Sequence, residues 1–130
     1  MPQFDHEKLD AYKVALEFVI LIDKIVEHFP KCRAYLVDQL QRAGTSILLN
    51  IAEGAGEYAS LEKGRFYRMA KRSGTECAGI FDICLRLKLI EEEQYQKGRA
   101  LLVRIVSMLI KMVQGLNGIS GTGTGTHTGT

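Results

Sequence analysis

Residues 60–87 read SLEKGRFYRMAKRSGTECAGIFDICLRL, and Phe66, Ala70, Ser73, Cys77, Ile80, Cys84 and Leu87 recur through them at steps of four and three. Three heptads of that spacing place one stripe on one face of an α-helix, the seam of a bundle helix. Alanine, serine and cysteine on the seam are small, so a neighbouring helix can approach closely. Ser60 reads as the N-cap, and Glu62 lies in the first turn, where the helix dipole favours an acid.

Three further periodic segments surround this one. Upstream, Leu36, Leu40, Ala43, Ile47 and Ile51 mark a helix from about Arg33 to Glu53. Gly54 and Gly56 supply its stop, a position that favours a left-handed residue. Before it, Tyr12, Ala15, Val19, Ile22, Val26 and Phe29 mark a helix from about Asp5 to His28, ended by Phe29-Pro30. Downstream, Glu91, Glu92 and Glu93 complement a fourth N-terminus, and Leu101, Ile105, Met108 and Met112 carry the stripe to about Leu116. The expectation is an all-α, antiparallel up-down four-helix bundle over residues 1–116. Residues 117–130 form a Gly-Thr-rich tail without the hydrophobic residues that ordering needs, and the expectation for it is disorder.

The first and fourth helices are apolar on more than one face. Leu16, Phe18, Leu21 and Ile25 extend the first stripe, and Leu102, Val103, Val106, Leu109, Ile110 and Val113 extend the fourth. A monomeric bundle gives each helix a solvent side, so the surplus predicts an oligomer in which these two helices make most of the subunit contact.

Composition narrows the function. The chain has 130 residues, 46% hydrophobic and 25% charged, with a net charge of +2. One domain is expected, and the charge balance by itself does not mark a nucleic-acid binder. Three cysteines, Cys32, Cys77 and Cys84, with no CxxC, suit a reducing cytoplasmic setting. The polar N-terminus does not read as a signal peptide, and the apolar run Val14–Ile22 is too short to span a membrane. None of His6, His28 or His127 has a glutamate three residues before it, so a Glu-x-x-His di-iron site is not expected, nor any other metal or cofactor. The pattern argues against an enzyme.

Two constellations stand out. Arg42, Ser46, Asn50 and Glu53 form a polar line on the second helix that calls for partners; Glu76 or neighbouring backbone groups would satisfy it and fix the bundle register. Between Ser60 and Arg72 stand five cations, Lys63, Arg65, Arg68, Lys71 and Arg72, against the single acid Glu62. Arg65, Arg68, Lys71 and Arg72 lie opposite the seam. Such a face either contacts phosphates or is simply solvated. Tyr58 and Tyr67 lie nearby, where a ring serves packing or base stacking.

Residues 42–54, RAGTSILLNIAEG, follow Phe29-Pro30 and the run DQLQRA at 38–43, and precede RFYRMAKRSGTE at 65–76. This ordered set closely resembles the four-helix-bundle family of proteins encoded in 23S rRNA intervening sequences, which is itself similar to the accessory variability proteins of diversity-generating retroelements. The resemblance implies a ring-like homo-oligomer, typically a pentamer, and association with RNA or DNA, with a reverse transcriptase as partner in the retroelement branch. It carries over Arg42, Ser46, Asn50, Glu53, Arg65, Phe66, Ser73 and Glu76 as motif residues. Where many relatives have glycine before the helix-three serine, this chain has Arg72, and Cys32 and Arg33 replace acids common after Phe29-Pro30. The expected function is that of a non-enzymatic nucleic-acid-binding accessory protein. The alternatives are a protein-only adaptor whose basic face meets an acidic partner, and a nuclease using Glu53 and Glu76 to hold a divalent ion.

Overall fold

In the computed structural model, which describes residues 2–120, the helices are α1 (Asp10–Val26), α2 (Ala34–Ala55), α3 (Ser60–Arg86) and α4 (Glu92–Ser120). Short 3-10 turns at Asp5–Lys8 and Lys31–Arg33 precede α1 and α2. Each helix packs on its sequence neighbours, and α1 closes the square against α4; among the described residues the backbones of the diagonal pairs stay apart. Short connections and this neighbour order define an up-down bundle.

The α2 stripe is buried as its spacing predicts: Leu36, Leu40, Ala43, Ile47 and Ile51 all lie in the core. The other stripes are rotated. On α1 the core line is Ala11, Val14, Ala15, Phe18, Ile22 and Ile25, while Tyr12, Val19, Val26 and Phe29 are only half-buried. Phe18 and Ile25, read from the sequence as surplus, are therefore core. On α3 the line runs Tyr67, Ala70, Gly74, Cys77, Ile80, Phe81 and Cys84, which keeps Ala70, Cys77, Ile80 and Cys84 of the predicted seam; Phe66 and Ser73 move to its flank, and Leu87 is exposed. On α4, Leu101, Leu102, Ile105 and Leu109 are buried, and Met108 and Met112 flank them.

Glycines explain part of the rotation. A Cβ on Gly98 would stand 2.7 Å from Cζ of Phe81, so α4 uses the missing side chain to accommodate that ring. Phe81 in turn packs on Phe18, ring centroids 5.7 Å apart. Gly54 plays the same part for α2: a Cβ there would lie 2.7 Å from the Tyr67 ring. Its role is close approach rather than a left-handed stop, and the C-cap Gly56 has φ −84°.

The helix ends also differ from expectation. Ala59 is the N-cap of α3, and Ser60 is its first helical residue. At α4, Gln94 Oε1 accepts the backbone N–H of Glu91 at 2.9 Å, the reciprocal half of a capping box. Helical backbone continues to Ser120, because the end of an apolar stripe does not itself stop a helix; the Gly-Thr repeat from Gly121 lies outside the described residues. The α4 segment Glu92–Asn117 is long and apolar enough to cross a membrane by length and composition. Its inner line is nonetheless packed in the bundle core.

Candidate nucleic-acid interface

Because Ala70, Gly74 and Cys77 face inward, the helical period turns Arg65, Arg68 and Arg72 outward. All three are exposed, and Lys71 is half-exposed on the flank of the same face. Arg65 is held by Glu62, its Nη1 donating to Oε1 at 3.2 Å and Oε2 at 3.4 Å. Among the described residues, Arg68, Lys71 and Arg72 form no ion pair within 4 Å.

Lys63 departs from this group. Its Nζ donates to the carbonyls of Gly54 and Ala55, 3.0 Å each. The last carbonyls of α2 have no intrahelical partner and carry the negative end of its dipole, so a nearby ammonium is drawn to them. The predicted fifth cation of the basic face is thus the C-terminal cap of another helix.

The polar line of α2 divides. Ser46 and Ser73 share a hydrogen bond at 2.8 Å across the α2–α3 seam. Asn50, only 9% exposed, donates Nδ2 to the Ser46 carbonyl at 2.9 Å and to its Oγ at 3.0 Å. These three residues form one hydrogen-bonded network at the α2–α3 seam. Arg42 and Glu53 do not join it. The Arg42 side chain is 78% exposed and meets Asp38 at 3.6 Å, and Glu53 and Glu76 are both exposed. Arg42 and Glu53, eleven residues apart, lie within about 20° of each other around the helix at 3.6 residues per turn, while Asn50 is turned farther toward α3. The outer side of α2 forms an open groove of about 480 Å³, lined by Asp38, Arg42, Leu49, Glu53 and their neighbours.

Tyr67 is core, with its hydroxyl pKa raised by burial and then by Asp5; Tyr58 stands fully exposed in the α2–α3 connection. Burial pushes the Cys77 thiol up to about 12, with Glu76 adding to the shift, and the Cys84 thiol up to about 11. Both behave as small apolar core residues. Among the described residues no group of three or more His, Cys, Asp or Glu side chains is placed to hold a metal ion.

The α3 C-terminus carries cations that periodicity does not single out. Arg86 and Lys88 are exposed, and Lys88 has φ +61°, the left-handed conformation that usually selects glycine. The Leu89 N–H bonds to the Cys84 carbonyl and the Lys88 N–H to that of Leu85, the paired bonds of a Schellman cap. With no glycine in the sequence here, nothing marks this cap in advance.

Residues 7–111 match the 23S rRNA-intervening sequence protein model. The chain belongs to that family. A crystal structure of a protein of unknown function from the S23 ribosomal protein family of Bacteroides thetaiotaomicron superposes with a TM-score of 0.74. That protein is 22% identical to this one, and the match covers 79% of this chain and 97% of the other. The likeness extends to the fold. No curated protein matches the chain in sequence. In this member of the 23S rRNA-intervening sequence protein family, Arg65, Arg68 and Arg72 make the outer face of α3 cationic.

Proposed function

We propose that this chain is a non-enzymatic nucleic-acid-binding accessory protein of the cytoplasm, presenting the outer face of α3 to RNA or DNA. The observation that carries the reading is the exposed row Arg65, Arg68 and Arg72 with Lys71 on its flank, where, among the described residues, the only acid engaged is Glu62. Exposed pairs such as Arg65–Glu62 are weak, about 0.2–1 kcal/mol, so a phosphate displaces the carboxylate at little cost. Guanidinium groups suit the task, since they bind phosphate oxygens through two parallel hydrogen bonds.

The bundle assembles into a closed homo-oligomer, a pentamer by family resemblance, so that the arginine face recurs around it. Only 22% of the most apolar window of α4 is buried within the protomer. Leu16 and Ile20 on α1 and Val103 on α4 are exposed, as are Leu49 on α2 and Met69 and Ile83 on α3. Apolar residues on several sides of one bundle suit head-to-tail contacts, which close into rings when the rotation permits. The natural companion is a reverse transcriptase or another ribonucleoprotein component.

A second reading has its own support. Met69 and Ile83 stand exposed on the same helix as the arginines, a mixture that suits an acidic protein partner and a scaffold role.

Equilibrium binding to a structured RNA and a duplex DNA at several salt concentrations separates the two. The expected result is binding that weakens steeply with salt and is abolished by changing Arg65, Arg68, Lys71 and Arg72 to glutamate, with fold and mass unchanged. An absence of binding at low salt defeats the nucleic-acid reading and leaves the adaptor. Light scattering that returns the protomer mass at micromolar concentration defeats the ring.

A further inference from the structure

Tyr58 and Leu61 are the two most exposed large apolar side chains among the described residues, Tyr58 fully and Leu61 by 77%. One such residue on a surface is ordinary, but these stand three positions apart at the start of α3, immediately before its cations. Leu61, Arg65, Arg68 and Arg72 step by four, three and four, so they share the outward line of the helix. Among the described residues no ring packs on Tyr58. The backbone that carries it is nonetheless tied down. The Glu57 N–H donates to the Gly54 carbonyl at 3.1 Å, and Lys63 Nζ holds the carbonyls of Gly54 and Ala55, which clamps the end of α2 to the first turn of α3. An exposed ring on a fixed turn is a pre-organised platform, and a flat group that stacks on it costs little ordering entropy.

The charges divide along the same line. Residues 63–75 contain five cations and no acid. The acids stand beyond the two ends of that run, Glu53, Glu57 and Glu62 on the Tyr58 side and Glu76 past Arg72. Phosphates are therefore favoured between Arg65 and Arg72, and the Tyr58 end suits an uncharged group. Arg68 leans from one to the other: its Nη1 lies 3.3 Å from where a Cβ on Gly64 would stand, so the guanidinium folds back about one turn toward Leu61. A nucleic-acid strand supplies both parts, an anionic backbone and flat uncharged bases. Bases inside a duplex are stacked on one another and offer no face to a side chain, whereas unpaired bases stack on exposed rings. Tyr35, the other exposed tyrosine, lies at the opposite end of α2. The Ser46–Ser73 pairing puts it level with Cys84, ~18 Å past Arg72 along α3 at 1.5 Å per residue.

We infer that the nucleic acid is engaged through an unpaired stretch, its phosphates along Arg65, Arg68 and Arg72 and a base stacked on Tyr58 with Leu61 beside it. This rests on the nucleic-acid reading above and adds the strand form and the residue that receives the base.

The test uses the full chain with single-stranded DNA and RNA oligonucleotides of about 12 nucleotides, within the usual span of such sites, and with duplexes of the same length, anisotropy being measured across salt concentrations. Single strands should bind more tightly than duplexes at physiological salt. Tyr58→Ala should keep the parent's mass and melting temperature and weaken single-strand binding about five- to 150-fold, the ordinary worth of one stacked base. It should leave duplex binding and the salt slope unchanged, because the ring releases no counterions, whereas Arg72→Gln should lower the single-strand slope by about 0.7. Tyr58→Phe, which keeps the ring, and Tyr35→Ala should bind as the parent does. The chain has no tryptophan, so tyrosine emission reports the contact: single strands should quench it, and Tyr58→Phe should lose most of that quench. The inference falls if Tyr58→Ala binds single strands as the parent does while the glutamate variant of the arginine row does not; the broader reading then survives. It also falls if duplexes bind as tightly as single strands, or if Tyr58→Ala alters the oligomer mass, since a second copy would then cover the ring. A parent that binds no nucleic acid removes both readings together.

Discussion

Gly98→Ala tests the rotated core most directly. The added Cβ would stand 2.7 Å from Cζ and 3.0 Å from Cδ2 of Phe81, a ring that is 1% exposed and backed by Phe18. A buried ring has no flexible end to swing aside, so the ring, its partner or α4 itself must move. Overpacking of this kind costs about 1–3 kcal/mol. Replacing a helical glycine by alanine returns about 1 kcal/mol, leaving a net loss of up to about 2 kcal/mol. For a domain of this size that corresponds to a fall in melting temperature of up to roughly 8 °C. Gly79→Ala is the matched control: the same propensity gain, with nothing within 4 Å of the new Cβ, so its melting temperature should rise by a few degrees. Thermal melts at one fixed protomer concentration make the comparison, because association shifts apparent stability. If both variants gain stability alike, the Phe81 ring does not depend on Gly98, and the packing argument for α3 against α4 is wrong.

Other substitutions test the polar contacts. Ser46→Ala removes the Ser73 partner and one of the two acceptors of Asn50; a loss of about 1 kcal/mol in urea unfolding is expected, and no loss would show that the network does not set register. Lys63→Met strips the cap from Gly54 and Ala55 and should cost about 1–2 kcal/mol, checked by the same unfolding curve. Arg42→Ala, which breaks a pair exposed at both partners, should change stability by less than about 0.5 kcal/mol. Cys77 and Cys84 favour the protonated thiol in the fold more than in the unfolded chain. Their contribution is therefore full below the ordinary thiol pKa near 9 and is lost as pH rises toward 11–12. Thiol labelling of the native protein at pH 8 should report Cys32, which is exposed, and rapid labelling of all three cysteines would contradict the burial.

The sequence patterns were informative to the extent that apolar residues were scarce enough to leave one solution. On α2 polar residues interrupt the helix often, and only the stripe from Leu36 to Ile51 runs its length. On α1, Val14 to Ile22 is almost continuously apolar, so several lines of threes and fours fit it equally. The choice of Ala11, Val14 and Phe18 over Tyr12 and Val19 is made by the partner helices. On α3 the core line includes Gly74, which packs against Val106 and Ile47 through its lack of a side chain and gives no hydropathy signal. The arginine face was legible because it lies opposite Ala70 and Cys77, which belong to the seam in either registration. Lys63 was not, because its partners are the carbonyls of α2, which only the tertiary fold brings near. The left-handed Lys88 escaped for a related reason: cap patterns are recognised by glycine, and the cap here forms without it.

The diversion of Lys63 bears on the binding stoichiometry. A sequence count assigns five phosphate-seeking cations to the first part of α3, but an ammonium already holding two carbonyls at 3.0 Å gives up both when it turns to a phosphate. Arg65 surrenders an exposed pair with Glu62, and among the described residues Arg68 and Arg72 have no ion pair to give up. The difference is measurable through counterion release, where each neutralised phosphate of a B-form duplex contributes about 0.9 to the salt slope. Arg72→Gln should therefore lower the slope by about 0.9, whereas Lys63→Met, measured where it remains folded, should leave it unchanged. Equal reductions would place Lys63 among the phosphate contacts and show that binding releases the cap of α2. Unequal ones would assign the two cations, nine residues apart on the same helix, separate work: Lys63 secures the helix that Arg72 uses as a platform.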